Sequence, residues 1–132
     1  MSAVERFGSW APGILGIARM LVGTLFACHG AQKVFGVLGG MPPGVPKMLI
    51  WTAGPLELIG GVLIAVGLFT RITAFICSGQ MAIAYFTGHA PHGFWPTVNG
   101  GELAIFYCWF FLYLAAQGPG AFALDNLIKR RR

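Results

Sequence analysis

LIGGVLIAVGLF, residues 58–69, carries no polar side chain anywhere along its length. A soluble amphipathic helix returns polar residues to its wet face every turn or so. A segment without them is buried on all sides or faces lipid. Working outward, apolar stretches predict membrane spans at residues 14–35, 49–69, 72–87 and 101–117, each near the ~20 residues that cross a ~30 Å hydrocarbon core. Hydrophobic residues make up 56% of the chain and charged residues 10%, against about 25% charge in an ordinary soluble domain. The chain therefore reads as an all-α, integral membrane four-helix bundle, with residues 1–132 forming one four-span transmembrane domain and the lipid bilayer as its first partner.

The formal net charge is +5, but four of the nine basic residues are the last four, Lys129 to Arg132. Such a tail suits anionic lipid at the cytoplasmic surface, and nucleic acid is not expected as a partner. Arg6, Arg71 and the tail fall on one side of a four-span arrangement, while Lys33 and Lys47 fall at the first loop of the other. The excess of positive charge puts both the N- and C-termini in the cytoplasm. Trp10, Trp51 and Trp95 lie near span ends, where an interfacial aromatic belt would hold them. The outer loops, residues 36–48 and 88–100, are rich in Gly and Pro and read as turns. LFAC at residues 25–28 faintly resembles a lipoprotein cleavage site, but Phe26 fits it poorly and Arg19 interrupts the apolar run before it.

Cys28, Cys77 and Cys108 sit in three different apolar stretches. Neither a CxxC pair nor a zinc spacing is present, so they read as small packing residues and no metal site is expected. Gly23, Ala27 and Ala31 repeat four apart on the first span, and Gly61 and Ala65 do so on the second. Stripes of this kind let helix backbones approach closely, here within one chain.

Ionisable groups inside the spans carry the functional information. A charge near the bilayer centre costs roughly 2.5 to 3.5 kcal/mol on insertion scales, so each must be paired, neutralised or hydrated. The first span holds Arg19, His29, Gln32 and Lys33, the second Glu57, the third Gln80, and the fourth opens with Glu102. At ~1.5 Å of rise per residue, His29 lies about 9 Å and Glu57 about 12 Å below the outer ends of their spans. Arg19, Phe26, Gly30 and Lys33 fall within about 40° of one line along the first span. This seam predicts a buried cluster of Lys33, Glu57, Glu102 and His29 in the outer half, with Gln32 and Gln80 as hydrogen-bonding neighbours. Pro55, at the first turn of a helix or at a kink, would free carbonyls beside the cluster. Arg19, about 7.5 Å inside the cytoplasmic end, either snorkels to water or joins in pairing. The plain alternative for the cluster is an ion-pair network that fixes helix register.

RMLVGTLFACHGAQK, residues 19–33, resembles the first-helix signature of the DoxX family of small bacterial membrane proteins, through Arg19, Gly23, Phe26, His29, Gly30, Gln32 and Lys33. ELIGGVLIAVGLFTR, residues 57–71, resembles its second helix, Gly101 and Glu102 the start of its fourth, and GPGAFALD, residues 118–125, its closing motif. The resemblance covers residues 15–125. It implies a four-helix bundle in the bacterial inner membrane and an association with quinone-linked oxidation of sulfur compounds or with complexes handling oxidative stress, while distant relatives act as accessory or assembly factors. Phe122 and Ala123 stand where a Tyr-Ser pair is common, and no cysteine pair is present for thiol chemistry.

Two functions stay open on these residues. In a quinone-linked redox subunit, His29, Lys33 and Glu57 would supply polar groups to the quinone cofactor, with Trp51, Tyr107 or Trp109 as walls. In a non-catalytic accessory subunit, the bundle would dock beside a larger membrane complex. A haem held by two histidines is not expected, since His29 is the only histidine within a span and His89 and His92 lie in a loop. A third reading is a small transporter or channel, since a polar seam can line a pathway, although four short spans offer little room for alternating access and no internal repeat is apparent.

Overall fold

The computed structural model describes residues 1–132 and contains helices and loops only. A short amphipathic helix, α1 (Ala3–Gly8), starts at a capping box in which Ser2 and Glu5 satisfy each other's backbone N–H groups. Four longer helices follow: α2 (Ala11–Phe35), α3 (Lys47–Val66), α4 (Thr70–Ala84) and α6 (Glu102–Gln117). Between α4 and α6 the chain makes a π turn at Tyr85–His89, a 3-10 turn at Ala90–His92 and the one-turn α5 (Pro96–Asn99). The C-terminal α7 (Leu124–Arg130) carries the basic tail. Neither α1, α7 nor the π turn was expected from hydropathy.

The bounds of α2 and α6 fall close to those of the first and fourth apolar stretches. The second is cut short because Gly67 takes a left-handed backbone (φ 72°) and ends α3 after Val66. The third ends at Ala84, where the helix widens into the π turn. Pro55 is not at a first turn but well inside α3. It cannot donate to the carbonyl one turn earlier, yet no side chain of the expected cluster takes up that carbonyl.

Packing follows the small-residue stripes. α2 lies along α3 and α4 along α6, with a sparser contact joining α3 to α4. A methyl group on Gly23 or Gly61 would collide with backbone of the facing helix, at Gly61 and Ala65 for the first and at Gly23 and Ala27 for the second. The two stripes therefore meet each other within one chain. Phe26 of α2 reaches across to Tyr107 and Phe111 of α6, with ring centroids 5.0 and 4.9 Å apart, and joins Ile64, Cys77 and Leu114 in the core.

The distribution of polarity is inverted relative to a water-soluble protein. Arg19, Glu57, Thr70, Ser78 and Asn99 are buried, while Ile17, Leu21 and Leu25 of α2, Ile59 and Val62 of α3, Ile72 and Phe75 of α4, and Phe106 and Trp109 of α6 face outward. Exposed apolar area on this scale marks a surface that meets something other than water. Two helical stretches, Ala3–Phe35 and Lys47–Val66, are long and apolar enough to cross a membrane, and Glu102–Gln117 is apolar but shorter.

The end of the bundle opposite the outer loops is tied by the closing segment. Asp125 accepts from the backbone N–H groups of Phe69 and Thr70 at 2.8 and 2.9 Å, capping α4, while its own N–H donates to the Gly67 carbonyl. Arg71 donates to the terminal carbonyls of α6 at Ala115 and Ala116. Arg19 corrects the sequence reading: it is fully buried, neither snorkelling to water nor meeting the outer cluster. Its guanidinium donates to the carbonyls of Pro119, Ala121 (2.9 Å) and Phe122 (2.8 Å). Positive-φ backbone at Gly118, Gly120 and Phe122 turns those carbonyls inward, where only a multi-donor side chain can satisfy them. Replacing Asp125 with Ala should lower stability by about 1 to 2 kcal/mol through the lost cap. Arg19→Met should cost about 3 kcal/mol or more, because several buried carbonyls lose a charged donor together. Thermal unfolding in detergent, with the two midpoints ranked in that order, checks both.

Candidate functional site

Glu57 is the hub of the half of the bundle that lies toward residues 36–48 and 85–100. Its Oε2 accepts from Lys33 Nζ at 2.6 Å and its Oε1 from Gln80 Nε2 at 2.9 Å, so α2 and α4 both donate to one carboxylate on α3. The Lys33 and Glu57 side chains are 13% and 5% exposed. This approach depends on glycine: a methyl on Gly30 would strike Leu58, and one on Gly54 would strike the side chains of Lys33 and Val34. The Glu57 carboxylate is thus held by two donors from separate helices, the arrangement that makes a buried charge tolerable.

A cavity of about 800 Å³ opens beside this pair, within the size range of small-molecule sites. Lys33, Glu57 and Gln80 form its polar wall, and Phe26, Leu56, Met81 and Ala104 belong to its apolar lining. Tyr107 and His29 also line it, in an edge-to-face contact with ring centroids 6.1 Å apart. Tyr107 is 6% exposed, and its hydroxyl has no hydrogen-bond partner within the chain. The π turn forms the roof through Thr87, Gly88 and His89. Asn99 fastens that roof, donating to the Tyr85 hydroxyl at 3.2 Å and the Gly93 carbonyl at 2.9 Å and accepting from the Gly101 N–H. The chain makes no grouping of three or more His, Cys, Asp or Glu side chains that could hold a metal ion.

The expected cluster is therefore smaller than the sequence suggested. Lys33 and Glu57 meet, Gln80 joins them, and His29 stands at the cavity wall without bonding the pair. Glu102 is exposed at the start of α6. The inward positions there belong to Ala104 and Tyr107, and Glu102, two residues before Ala104, is turned some 200° away around the helix. Its charge instead complements the helix N-terminus. Gln32 donates to the Leu38 carbonyl at 2.8 Å, pinning the chain just beyond α2. One residue from Lys33, it is rotated about 100° off the seam. Trp51 and Trp109 face outward and take no part in the cavity wall, whereas Tyr107 does. Tyr85 and Asn99 were missed altogether, and His89 was read only as a loop residue. The only trace of them in the sequence is the Asn-Gly pair at Asn99 and Gly100, which reads as a turn.

A membrane-embedded helical bundle with a polar, cavity-bearing interior is the class of protein these features define. The model of the DoxX family matches residues 14–90. The chain is 43% identical to a protein of Haemophilus influenzae over 96% of both chains. It is 31% identical to the inner membrane protein YqjF of Escherichia coli, covering 90% of this chain and 94% of that one. A more distant relative, 28% identical over 85% of this chain and 84% of its own, bears the name "Putative oxidoreductase CatD" in Bacillus subtilis. No solved structure matches the chain. The protein belongs to the DoxX family and is a membrane protein.

Removing one partner of a buried pair leaves an uncompensated charge, whereas replacing both can be nearly neutral. Lys33→Met and Glu57→Leu should each destabilise the bundle by about 3 to 5 kcal/mol, and the double variant should recover most of that loss. Denaturant unfolding of the three variants in detergent measures the coupling directly.

Proposed function

We propose that this chain is an inner-membrane protein whose residues 1–132 form a single four-span domain, with α2, α3, α4 and α6 as spans and both termini in the cytoplasm. The apolar outer faces on all four helices support the count. At ~1.5 Å per residue, α4 and α6 rise only about 22 to 24 Å, and the π turn extends α4 toward the outer surface. The close tie of Arg71 to the end of α6 and of Asp125 to the start of α4 supports a common side for Arg71 and the basic tail. That side carries the positive excess expected of the cytoplasm. A reporter fused after Arg132 should be active only in its cytoplasmic form; activity of a periplasm-dependent reporter there would reverse the orientation.

Within this bundle the chain acts as a redox-associated subunit that binds a quinone in the outer-half cavity. The observation that carries the reading is the Tyr107 hydroxyl, on a buried residue and without a partner in the chain, lining an otherwise largely apolar cavity beside a Lys–Glu pair. A quinone carbonyl needs hydrogen-bond donors in an apolar slot, and the residues present fit that need. Tyr107 and the His29 ring can donate to carbonyl oxygens, and Lys33 has donor capacity beyond its bond to Glu57. When bound, a quinone would supply a two-electron, two-proton couple. The chain's own part is to orient the ring, exclude bulk water and hold a proton at Glu57 or Lys33, which are joined by a direct hydrogen bond along which a proton can pass. The electron donor is a partner in the same membrane, consistent with a place in a larger membrane complex.

Protein purified from its native membrane should carry quinone in its lipid extract, displaced by a quinone-site inhibitor. Glu57→Gln should abolish redox coupling with membrane insertion intact. Full coupling in that variant removes Glu57 from the mechanism. Fixed-ratio co-purification with a larger complex, without bound quinone, would replace the redox reading with that of an accessory subunit.

A further inference from the structure

The cavity is not sealed toward the bilayer. α3 and α4 are consecutive helices joined by a tight turn at Gly67–Phe69, and they touch far less than the α2–α3 and α4–α6 pairs. Beyond the bridge from Glu57 to Gln80 they leave a slot. Its α3 rim is Leu49, Thr52 and Leu56, and its α4 rim is Ile76, Gly79 and Ile83. These residues recur every third or fourth position, so each set forms one stripe on its helix. All six line the cavity, and Leu49, Thr52, Ile76, Gly79 and Ile83 are also exposed on the outer surface. A residue that both lines a cavity and faces the surroundings marks a doorway, and this one is walled almost entirely by apolar side chains. Gly79 sits at its edge with nothing within 4 Å of the place a Cβ would occupy.

We propose that the cavity is loaded sideways from the lipid, through the slot between α3 and α4, and that its ligand is a quinone with a long apolar tail that stays in this slot while the ring meets Tyr107, His29 and Lys33. The assignment rests on the quinone reading above and deepens it by fixing the route of entry and the place of the tail. A cavity of about 800 Å³ accommodates the ring and a short stretch of chain, but a tail long enough to anchor a quinone in a bilayer has to leave it. The α3–α4 slot is an apolar way out, with exposed cavity-lining residues on both its rims. The donor set on the far wall matches carbonyl oxygens, whereas a phospholipid would bring an anionic headgroup to a Lys33 already paired with Glu57.

The test compares a benzoquinone carrying a decyl tail with the same ring lacking it, each titrated into the full-length protein in lipid nanodiscs, with ligand expressed per mole of lipid. Gly79→Trp and, separately, Thr52→Trp fill the slot from its two sides and leave Tyr107, His29 and Lys33 in place. Either should weaken binding of the tailed quinone by at least about tenfold, the steric loss expected when an occupied gap is overfilled, and leave the tailless ring unchanged. Phe75→Trp, on the lipid-facing side of α4 away from the cavity, should alter neither. If both slot variants bind the tailed quinone as tightly as the parent, the sideways route is wrong and the quinone reading survives. If the parent binds neither compound, the quinone reading fails and this inference falls with it.

Discussion

The ion pair between Lys33 and Glu57 is the constraint on which the cavity end of the bundle depends. Two opposite charges at 2.6 Å, almost out of reach of solvent, are tolerable in a lipid-surrounded interior only if neither is left alone. That requirement fixes the facing surfaces of α2 and α3. It also demands glycine at Gly30 and Gly54, where any side chain would hold the helices apart, and it draws Gln80 in from α4 to satisfy the second carboxylate oxygen. Once three helices are pinned at Glu57, the space that α6 leaves beside them becomes the cavity, and Tyr107 is the polar group α6 turns toward it.

The other end of the molecule is held by different chemistry. There the ionisable groups do not pair with each other across helices but satisfy backbone. Arg19 and Arg71 collect carbonyls, and Asp125 collects N–H groups at the start of α4. A membrane interior offers no water to these atoms, so every turn in the chain near the bilayer must bring its own donors and acceptors. The closing segment from Gly118 to Asp125 is a compact answer.

How much of this was legible in the sequence follows from the size of each effect. The helical class and the approximate bounds of α2 and α6 came from runs of apolar residues, a signal that no tertiary contact overrides in lipid. The meeting of Lys33 with Glu57 was legible because an unpaired charge there is too costly to leave standing. Glu102 and Gln32 were misplaced because depth was weighed more heavily than rotation: both lie at plausible heights, but a residue or two of offset turns them away from the seam. The fate of Arg19 was hidden because its partners are carbonyls a hundred positions away, which no side-chain pattern announces. The π turn and the Asn99 latch were illegible for the same reason, being set by backbone geometry in a stretch that reads only as Gly- and Pro-rich loop.

The most direct measurement is a solid-state NMR distance between the Lys33 Nζ and the Glu57 side-chain carboxyl carbon in lipid, taken with and without added quinone. The account predicts strong dipolar coupling between the two nuclei in the unliganded protein, as the 2.6 Å contact requires, and a shift of the Lys33 nitrogen when quinone enters. An absent coupling, with the Lys33 nitrogen in rapid exchange with bulk water, would contradict it.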